Sequence, residues 1–303
     1  MKLSIVTPAY NSADHIRRTI DSVLSQKGNF EIEYIVVDGL STDNTAAIVR
    51  EYIEKLDSGT TQTACNAVSL QLISEKDNGM YDAINKGFKR ATGDIFAWIN
   101  SDDEYLPEAF ETMTQVFTKF SDIQWAKGIT NIASANESKT TPKTLKNGYS
   151  YVYNTRWLAA GIYGVFAYFV HQDSVFWRKS LWQQAGPIDT SLKYAGDYEL
   201  WTKMARFTPL WSVEKPVSIF HKRPGQLSAD MTKYRAEQAT VRARLPHLHL
   251  TPLIKLFFWS KSFIFPPLHT LMYTLLFPQR NRYYIEPTEN GPVKKSARSY
   301  FTS

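Results

Sequence analysis

Residues 93–103 read GDIFAWINSDD, in which an apolar run stops abruptly at polar and acidic side chains. An apolar run of this length is typical of a buried strand. Side-chain oxygens at a strand's end suit a hard divalent cation, and open α/β sheets bind ligands at the carboxyl ends of their strands. The stretch therefore predicts a site for a metal and a phosphate. A polar turn that caps the next helix is the alternative.

The same arrangement recurs through the first hundred residues. Apolar runs that end at polar or acidic residues lie at 3–6, 34–37, 69–74 and 95–99. Segments with helical spacing separate them, at 14–26, 45–56 and 80–91. Strands alternating with helices predict an α/β fold with a mostly parallel, Rossmann-like central sheet flanked by helices. Because every run ends in polar residues, we expect one cleft along the carboxyl edge of that sheet.

The second half of the chain is less regular. Its patterns predict helices at 107–120, 180–185 and 197–207, and strands at 123–132 and 211–220. After residue 225 the composition changes, with a charged helical segment at 228–245 and a strongly apolar segment at 252–278.

The composition bounds the classes of protein that the chain can be. With 303 residues, 43% hydrophobic and 21% charged, it is long and apolar enough for one large folded domain or two small ones. Its net charge of +6 suits an anionic small molecule, a membrane surface or nucleic acid as a partner. The single cysteine, Cys65, excludes an internal disulfide and fits a reducing cytosol, and the first residues lack the pattern of a signal peptide. We therefore expect a cytoplasmic protein.

Five motifs in order resemble those of family 2 glycosyltransferases with the GT-A fold, and more narrowly the bacterial enzymes that build O-antigen and exopolysaccharide repeat units. They are TPAYN at 7–11, VVDG at 36–39 with STDNT at 41–45, SEKDNGMYDAINKG at 74–87, NSDD at 100–103 and GDYELW at 196–201. The resemblance covers roughly residues 1–225. It implies an inverting, metal-dependent hexosyltransferase that moves a sugar from a UDP-sugar to a glycan or lipid-linked saccharide in cell-surface polysaccharide biosynthesis.

The resemblance also divides the chain. It implies a nucleotide-sugar-binding half at 1–105 and an acceptor-binding, catalytic half of the same GT-A domain at 106–225. The remainder, 226–303, is predicted as a helical, apolar and basic C-terminal extension.

The resemblance assigns the nucleotide and the donor sugar to a set of residues in the first half. These are Thr7, Pro8, Tyr10, Asp38, Lys76, Asp77, Tyr81, Asn100, Ser101, Asp102 and Asp103. Asp38 is implied to read the base, and a carboxylate that accepts from the imide N–H of uracil favours a uridine donor. Helix capping by Asp38, a core role for Tyr10 and plain solvation of Lys76 remain alternatives.

A divalent metal, Mn²⁺ or Mg²⁺, is implied as the Lewis acid that neutralises the leaving diphosphate. Asp102 is its implied ligand, and His221 is implied to complete the metal shell, although a lone histidine can equally be structural. The family pattern is Asp-any-Asp, whereas this chain has Asn100 in the first place. Asparagine offers a carbonyl oxygen without charge, so we expect a lower metal affinity.

Asp197 is the implied general base, which takes the proton from the acceptor hydroxyl as the oxygen attacks opposite the leaving group. A plain N-cap at the start of the next helix is the alternative. The family often has Glu-Asp at this point, and this chain has Gly196 before Asp197. His171 and Gln172 are implied to lie at the acceptor side of the cleft.

The apolar segment at 252–278 is long enough to span a bilayer, but Lys255, Lys261 and a Pro-Pro step oppose that. Flanking cations favour a membrane interface, so we expect residues 252–303 to dock at the inner face of the plasma membrane. The resemblance implies an acceptor linked to a polyprenyl diphosphate. A helical hairpin packed on the catalytic domain or on a second subunit is the alternative, which leaves a homo-oligomer open.

Other classes of function compete with a glycosyltransferase. Asn100 and the missing acid before Asp197 would also fit a catalytically degenerate, nucleotide-binding member of the fold. The basic charge is spread out and no nucleic-acid-binding module is recognisable, so we expect no nucleic-acid partner. A nucleotidyltransferase would carry a glycine-rich, basic phosphate loop after its first strand, which TPAYN at 7–11 is not.

Overall fold

The computed structural model describes residues 1–134, 152–165, 169–223, 225–226, 230–245 and 283–296. In the first hundred residues, strands and helices alternate as the sequence predicts. They are β1 (Lys2–Ala9), α1 (Ile16–Leu24), β2 (Lys27–Asp38), α2 (Thr45–Asp57), β3 (Ala64–Ser74), α3 (Met80–Arg90) and β4 (Ile95–Trp98). The two-residue β5 (Glu104–Tyr105), which the sequence pattern does not predict, follows them.

The elements of the second half include three short strands that the sequence pattern does not predict, β7, β9 and β10. They are α4 (Ala109–Lys119), β6 (Trp125–Ser134), α5 (Thr155–Ala159), a 3-10 turn (Gln172–Ser174), β7 (Val175–Arg178), α6 (Lys179–Ala185), α7 (Gly196–Met204), β8 (Trp211–Lys222), α8 (Met231–Ala243), β9 (Tyr283–Glu286) and β10 (Val293–Ser296).

One mixed sheet contains the described strands, in the order β10-β9-β8-β6-β7-β4-β1-β2-β3, with β5 paired to β8. Strands β3, β2, β1 and β4 are parallel, which confirms the predicted Rossmann-like part. Strand β7 runs antiparallel to β4 and to β6, and so joins this part to the parallel pair of β6 and β8. The carboxyl ends of β1, β2 and β4 therefore lie side by side.

Strands β1 and β4 and the second half of β2 are buried on both faces, so alternate side chains enter two separate cores. Ile35 and Val37 of β2 belong to the core that includes the inner face of α3. Tyr34 and Val36 belong to the opposite core, which α1 and α4 complete. Successive side chains alternate between the two cores because they point to opposite faces of a strand. Helices pack on both faces of the sheet and hold the strand ends in place.

The C-terminal extension is helical at α8, as predicted, but residues 283–296 are strands. β9 pairs in parallel with β8, and β10 returns antiparallel to β9. Ile285 is fully buried and pairs with Val213, so its side chain completes the core. Lys294 Nζ lies 2.8 Å from an Asp122 carboxylate oxygen, which fixes β10 to the domain. The helical prediction is therefore wrong for this part, because β9 pairs with the edge of β8 and buries Ile285 in the core.

Residues 252–278, which were predicted to contact a membrane, lie outside the described residues. In the parts of the chain that are described, no helix combines the length and the apolar character needed to cross a bilayer. The boundaries after residues 105 and 225 stay predictions, and the described strands on either side of them belong to one sheet.

Candidate active site

The carboxyl end of β2 places Asp38 beside the loop that follows β3. Asp38 is buried, and its carboxylate accepts hydrogen bonds from the backbone N–H of Ser41 (3.3 Å) and from Ser74 Oγ (2.7 Å). Asp77 lies against Gly39, where an added Cβ would come within 2.5 Å of the Asp77 carboxylate. The two acids that were predicted to bind the nucleotide are therefore held next to each other.

Four other residues that were predicted to bind the nucleotide or the donor sugar differ in their exposure to solvent. Thr7 is fully buried and its hydroxyl lies 3.0 Å from the Tyr34 hydroxyl, so its side chain points into the protein interior. Pro8 is buried as well. Tyr10 is 64% exposed, which excludes a core role for its ring. Lys76 is exposed, so plain solvation stays open beside a donor contact.

The turn after β4 holds Asp102 against a cationic and an amide side chain. Asp102 is buried, and its Oδ2 accepts hydrogen bonds from Arg223 Nε (2.6 Å) and Gln226 Nε2 (2.8 Å). Ser101 Oγ lies 2.7 Å from Ser12 Oγ, which ties the turn to the loop after β1. The acidic turn is therefore held from two sides by residues distant in sequence.

The side chains of this turn fit a metal that is shared with a diphosphate. Within the described ranges, no group of three or more His, Cys, Asp or Glu side chains is arranged to hold a metal. Mg²⁺ commonly binds to one or two carboxylates plus substrate phosphates and does not require a complete protein cage. Asn100 Oδ1 is buried without a hydrogen-bond partner among the described residues, and Arg223 binds one of the two oxygens of Asp102. Asn100 and Asp102 can therefore supply oxygen ligands to an open site.

His221 contacts the turn through its backbone, while its ring is engaged by another residue. Its backbone N–H donates to Asp103 Oδ1 (3.0 Å), and its ring Nε2 lies 2.6 Å from Glu104 Oε1. Glu104 also pairs with Arg18 Nε at 2.9 Å. The metal-shell role of His221 stays a prediction, and it would require the ring to leave Glu104.

Asp103 and Asp173 form a buried acidic pair next to the turn. Both are fully buried, and Asp173 accepts a hydrogen bond from the hydroxyl of Ser218 on β8. Burial, followed by the charges of Asp173 and Asp102, raises the pKa of Asp103 well above its usual range. Burial and the neighbouring carboxylates therefore disfavour the charged form of Asp103. A direct contact between its side chain and the donor, as predicted, would need the turn to move.

The predicted acceptor pair, His171 and Gln172, borders the same acids. Gln172 is buried beside Asp103. Burial lowers the pKa of His171, against the raising effect of Asp173. Lys127 of β6 is buried near Asp173, and burial lowers the pKa of this lysine to about 8. No sequence motif marks Lys127 or Asp173, because they come from different strands and turns that only the fold brings together.

Asp197 lies in the first turn of α7 and has a raised pKa. Its Oδ1 accepts hydrogen bonds from the backbone N–H of Tyr198 (2.7 Å) and from the Tyr234 hydroxyl (3.1 Å). Burial raises the pKa of Asp197 to about 6, with Glu237 acting in the same direction and the two hydrogen bonds opposing. A carboxylate that titrates close to neutral pH is suited to general base catalysis.

Helix capping is excluded for Asp38, because the residue at the N-cap of α2 is Asn44, six positions further on. Asp197 lies in the first turn of α7, and its carboxylate accepts the backbone N–H of Tyr198 in that turn. Stabilisation of the start of α7 therefore stays an alternative to catalysis for Asp197.

Tyr81 joins the donor half of the fold to the segment that carries Asp197. It is buried, and its hydroxyl donates a 2.8 Å hydrogen bond to the backbone oxygen of Tyr194. A Cβ added at Gly196 would lie 2.7 Å from both the Tyr81 ring and Ile188. A glutamate at position 196, which the family often has before the base, would collide with these two side chains. This packing accounts for Gly196.

Comparison with known proteins gives a family and a fold. The family model described as Glycosyl transferase family 2 matches residues 4–169, more than half of the chain. An uncharacterized glycosyltransferase of Rickettsia prowazekii is 28% identical over 211 residues, which are 69% of this chain and 60% of that protein. The chain thus spans about 60% of the length of this relative.

Two solved structures share the fold. TarS of S. aureus (residues 1–349), in complex with UDP-GlcNAc, has a TM-score of 0.58 at 18% identity, over 91% of this chain and 73% of that one. The mannosyltransferase PcManGT from Pyrobaculum calidifontis, in complex with GDP-Man and Mn²⁺, has a TM-score of 0.60 at 16% identity, over 90% and 73%. The predicted GT-A fold is therefore confirmed, and by the family match the chain belongs to glycosyl transferase family 2.

Proposed function

We propose that this protein is an inverting glycosyltransferase that moves a hexosyl group from a UDP-sugar to a saccharide acceptor. The observation that carries the proposal is the Asp197 carboxylate, whose pKa is raised to about 6 at the start of α7. Tyr81 connects this segment to the helix that follows the Asp77 loop. A base is therefore packed against the half of the fold in which we place the nucleotide.

The proposed reaction needs one proton transfer and one displacement. Asp197, ionised above pH 6, takes the proton of the acceptor hydroxyl while that oxygen attacks the anomeric carbon. The bond from the anomeric carbon to the diphosphate oxygen breaks, and its electron pair leaves with UDP. Attack from the face opposite the leaving group inverts the anomeric configuration. The carboxylic acid then returns its proton to solvent.

Asp38 and Asp77 support a uridine nucleotide. A carboxylate has about four lone-pair sites, so the hydrogen bonds from Ser41 and Ser74 leave Asp38 able to accept one more. The imide N–H of uracil is such a donor. Asp77 packs against Gly39, the residue after Asp38, and this closeness supports our placement of a ribose hydroxyl or the base beside it.

The metal-binding proposal rests on Asp102 and Asn100, with Mn²⁺ or Mg²⁺ as the ion. When bound, the ion would neutralise charge on the diphosphate. Arg223 already lies 2.6 Å from Asp102 and adds a permanent positive charge to the same place. The chain would therefore stabilise the leaving group with its own guanidinium in addition to any metal.

The acceptor and the location remain part of the proposal. We expect an acceptor linked to a polyprenyl diphosphate, a place in cell-surface polysaccharide biosynthesis such as O-antigen assembly, and docking of residues 252–303 at the inner face of the membrane. The apolar character of 252–278 and the cations after it support this. Flotation with liposomes of anionic lipid tests it, and a protein that stays at the bottom of the gradient would contradict it.

Two features favour a second candidate, a nucleotide-binding protein without catalysis. The Arg223–Asp102 ion pair and the uncharged Asn100 both reduce the negative charge available to a metal. This candidate predicts that UDP raises the melting temperature while no UDP-sugar is turned over. The two candidates are therefore separated by turnover and not by binding.

The decisive test measures UDP release from UDP-glucose, UDP-galactose and UDP-N-acetylglucosamine, with Mn²⁺ or with EDTA. We expect release from at least one donor, and its loss in Asp197→Asn with the thermal shift by UDP retained. Turnover by Asp197→Asn at the wild-type rate would remove the base from the mechanism. A wild-type protein that binds UDP and releases none from any donor would support the second candidate.

A further inference from the structure

Helix α8 presents one face to the segment that carries Asp197. Tyr234, Glu237, Val241 and Arg244 follow each other at intervals of three or four residues, so they share a helix face. Val241 is buried in the core. The other three form hydrogen bonds with residues between 189 and 197. A helix outside the family match therefore lies directly against the candidate base.

Glu237 holds the backbone turn in front of α7. Its Oε1 accepts from the backbone N–H of Lys193 (2.8 Å), and its Oε2 accepts from those of Tyr194 (2.7 Å) and Ala195 (2.8 Å). Hydrogen bonds from N–H groups to a carboxylate are roughly twice as strong as those between neutral groups. Arg244 Nη1 binds Asp189 Oδ2 (2.9 Å), at the other end of the same segment.

Tyr234 contacts the carboxylate of Asp197 itself. Its hydroxyl donates to Oδ1, the same oxygen that receives the backbone N–H of Tyr198. Neither of these hydrogen bonds occupies Oδ2. The Tyr234 ring packs edge-on against Phe169 with centroids 5.8 Å apart, which limits rotation of the phenol.

We propose that Tyr234 and Glu237 are positioning residues for the catalytic base. Glu237 fixes the turn that presents Asp197, and Tyr234 orients the carboxylate by its Oδ1 so that Oδ2 accepts the hydroxyl proton. This inference rests on the proposed function of Asp197 and deepens it. It assigns to α8 a part in catalysis that no motif of the sequence indicates.

The groups that face Asp197 come from two packed helices and from its own. They are Tyr81 of α3, Tyr234 and Glu237 of α8, and the neighbouring Tyr198. Burial is the largest effect on the Asp197 pKa, and the hydrogen bond from Tyr234 lowers that pKa. Removal of the Tyr234 hydroxyl alone should therefore raise it.

The first test is Tyr234→Phe, which keeps the ring and removes the hydroxyl. Carboxyl ¹³C NMR of protein labelled at aspartate, with Asp197→Asn to assign the signal, follows the titration without any substrate. We expect the midpoint of Asp197 to move up by roughly one pH unit. Where a UDP-sugar is turned over, the acidic limb of kcat/KM should move by the same amount. An unchanged midpoint would overturn the role of Tyr234.

The second test is Glu237→Gln, which keeps the side-chain shape but removes the charge and one acceptor oxygen. Hydrogen exchange of the amides at 193–195 should become at least tenfold faster, because these three N–H groups donate to Glu237. Arg235→Ala, an exposed residue on the same helix, is the matched control and should leave exchange and titration unchanged. Equal protection in Glu237→Gln and in the wild type would overturn the role of Glu237.

The two levels of the proposal fail in different ways. If Asp197→Asn keeps full turnover, Asp197 is not the base and the proposed mechanism fails, whatever the titration shows. If Asp197→Asn abolishes turnover while Tyr234→Phe and Glu237→Gln leave the titration, the pH profile and the exchange unchanged, the base stands and the positioning role falls.

Discussion

Arg223 and Asp102 form an ion pair, with 2.6 Å between Nε and Oδ2. The residues are 121 positions apart, and the pair joins the segment after β8 to the acidic turn after β4. The carboxylate with which we propose that the protein binds a metal is thus already shared with a guanidinium. A metal and Arg223 should therefore compete for Asp102 in the free protein and act together only once a diphosphate is bound.

The competition gives a prediction for Arg223→Ala. Without the guanidinium, the negative charge of Asp102 is no longer neutralised by an ion pair and attracts a cation more strongly. Half-maximal stabilisation by Mn²⁺ should therefore need about fivefold less metal. Thermal shift against Mn²⁺ concentration, without nucleotide, measures this. A higher Mn²⁺ requirement in the variant would mean that Arg223 orients Asp102 for the metal.

Asp102→Asn should abolish the additional stabilisation that Mn²⁺ gives in the presence of UDP. The amide keeps the size of the side chain but removes the charge that attracts a divalent cation. Melting temperatures with UDP plus Mn²⁺ and with UDP plus EDTA are compared. Asp57→Asn changes an exposed acid at the end of α2 and should behave as the wild type. If Mn²⁺ still raises the melting temperature of Asp102→Asn in the presence of UDP as much as it does for Asp57→Asn, Asp102 is not a metal ligand.

The activity should fall on the acidic side of about pH 6, the value to which burial raises the pKa of Asp197. Below that pH the carboxylate is protonated and cannot accept a proton, so kcat/KM should fall tenfold for each further pH unit. The rate of UDP release, measured as a function of pH, gives this acidic limb of kcat/KM. A profile that stays flat down to pH 4.5 would contradict a base with this pKa.

Asp197→Asn should stabilise the protein at pH 8 while it removes activity. The folded pKa of about 6 lies above the usual 3.8, so the folded state binds more protons between these values and stability falls as the pH rises through them. The neutral amide avoids that loss, which we put at about 2 kcal/mol after allowance for partial exposure. Urea unfolding at pH 8 and pH 4 measures it, and the gain should largely vanish at pH 4. A variant less stable than the wild type at pH 8 would contradict the burial of charge.

The hairpin of β9 and β10 should contribute to the stability of the whole domain. Ile285 is fully buried beside Val213, so Ile285→Ala should cost roughly 2–4 kcal/mol. Val293 on β10 is 39% exposed, and Val293→Ala, the control in the same hairpin, should cost under about 1 kcal/mol. Urea unfolding by tryptophan fluorescence compares the two. Equal, small effects would mean that the hairpin is an appendage.

The sequence predicts those parts of the fold that depend on local patterns. The alternation of strands and helices up to β4 follows from apolar periodicity alone. β2 begins at Lys27, well before the predicted start at residue 34. In its first half exposed polar residues alternate with the buried Phe30 and Ile32, and pairing with β1 and β3 holds this part in the sheet. β9 was missed for a related reason, since a strand of four residues gains its stability from β8 and not from its own pattern.

The candidate site divides in the same way. Motifs place Asp38, Asp102 and Asp197 at the starts of loops and helices, because strand ends and glycine turns can be recognised locally. The partners of those acids cannot be recognised, since Arg223 and Tyr234 lie 121 and 37 residues from the acids that they contact. Such pairs are created by the packing of distant elements, and no spacing rule in one sequence encodes them.

The parallel pairing of β9 with β8 changes how residues 246–282 are attached. The chain is held to the domain on both sides of these residues, by α8 before them and by the pairing of β9 with β8 after them. If residues 246–282 engage lipid, the two attachments would restrict the tilt and rotation of the sheet edge relative to the bilayer more than a single attachment would. An experiment on their role should therefore delete 246–282 and join the flanking residues, because a chain stopped near residue 246 would also uncover the edge of β8.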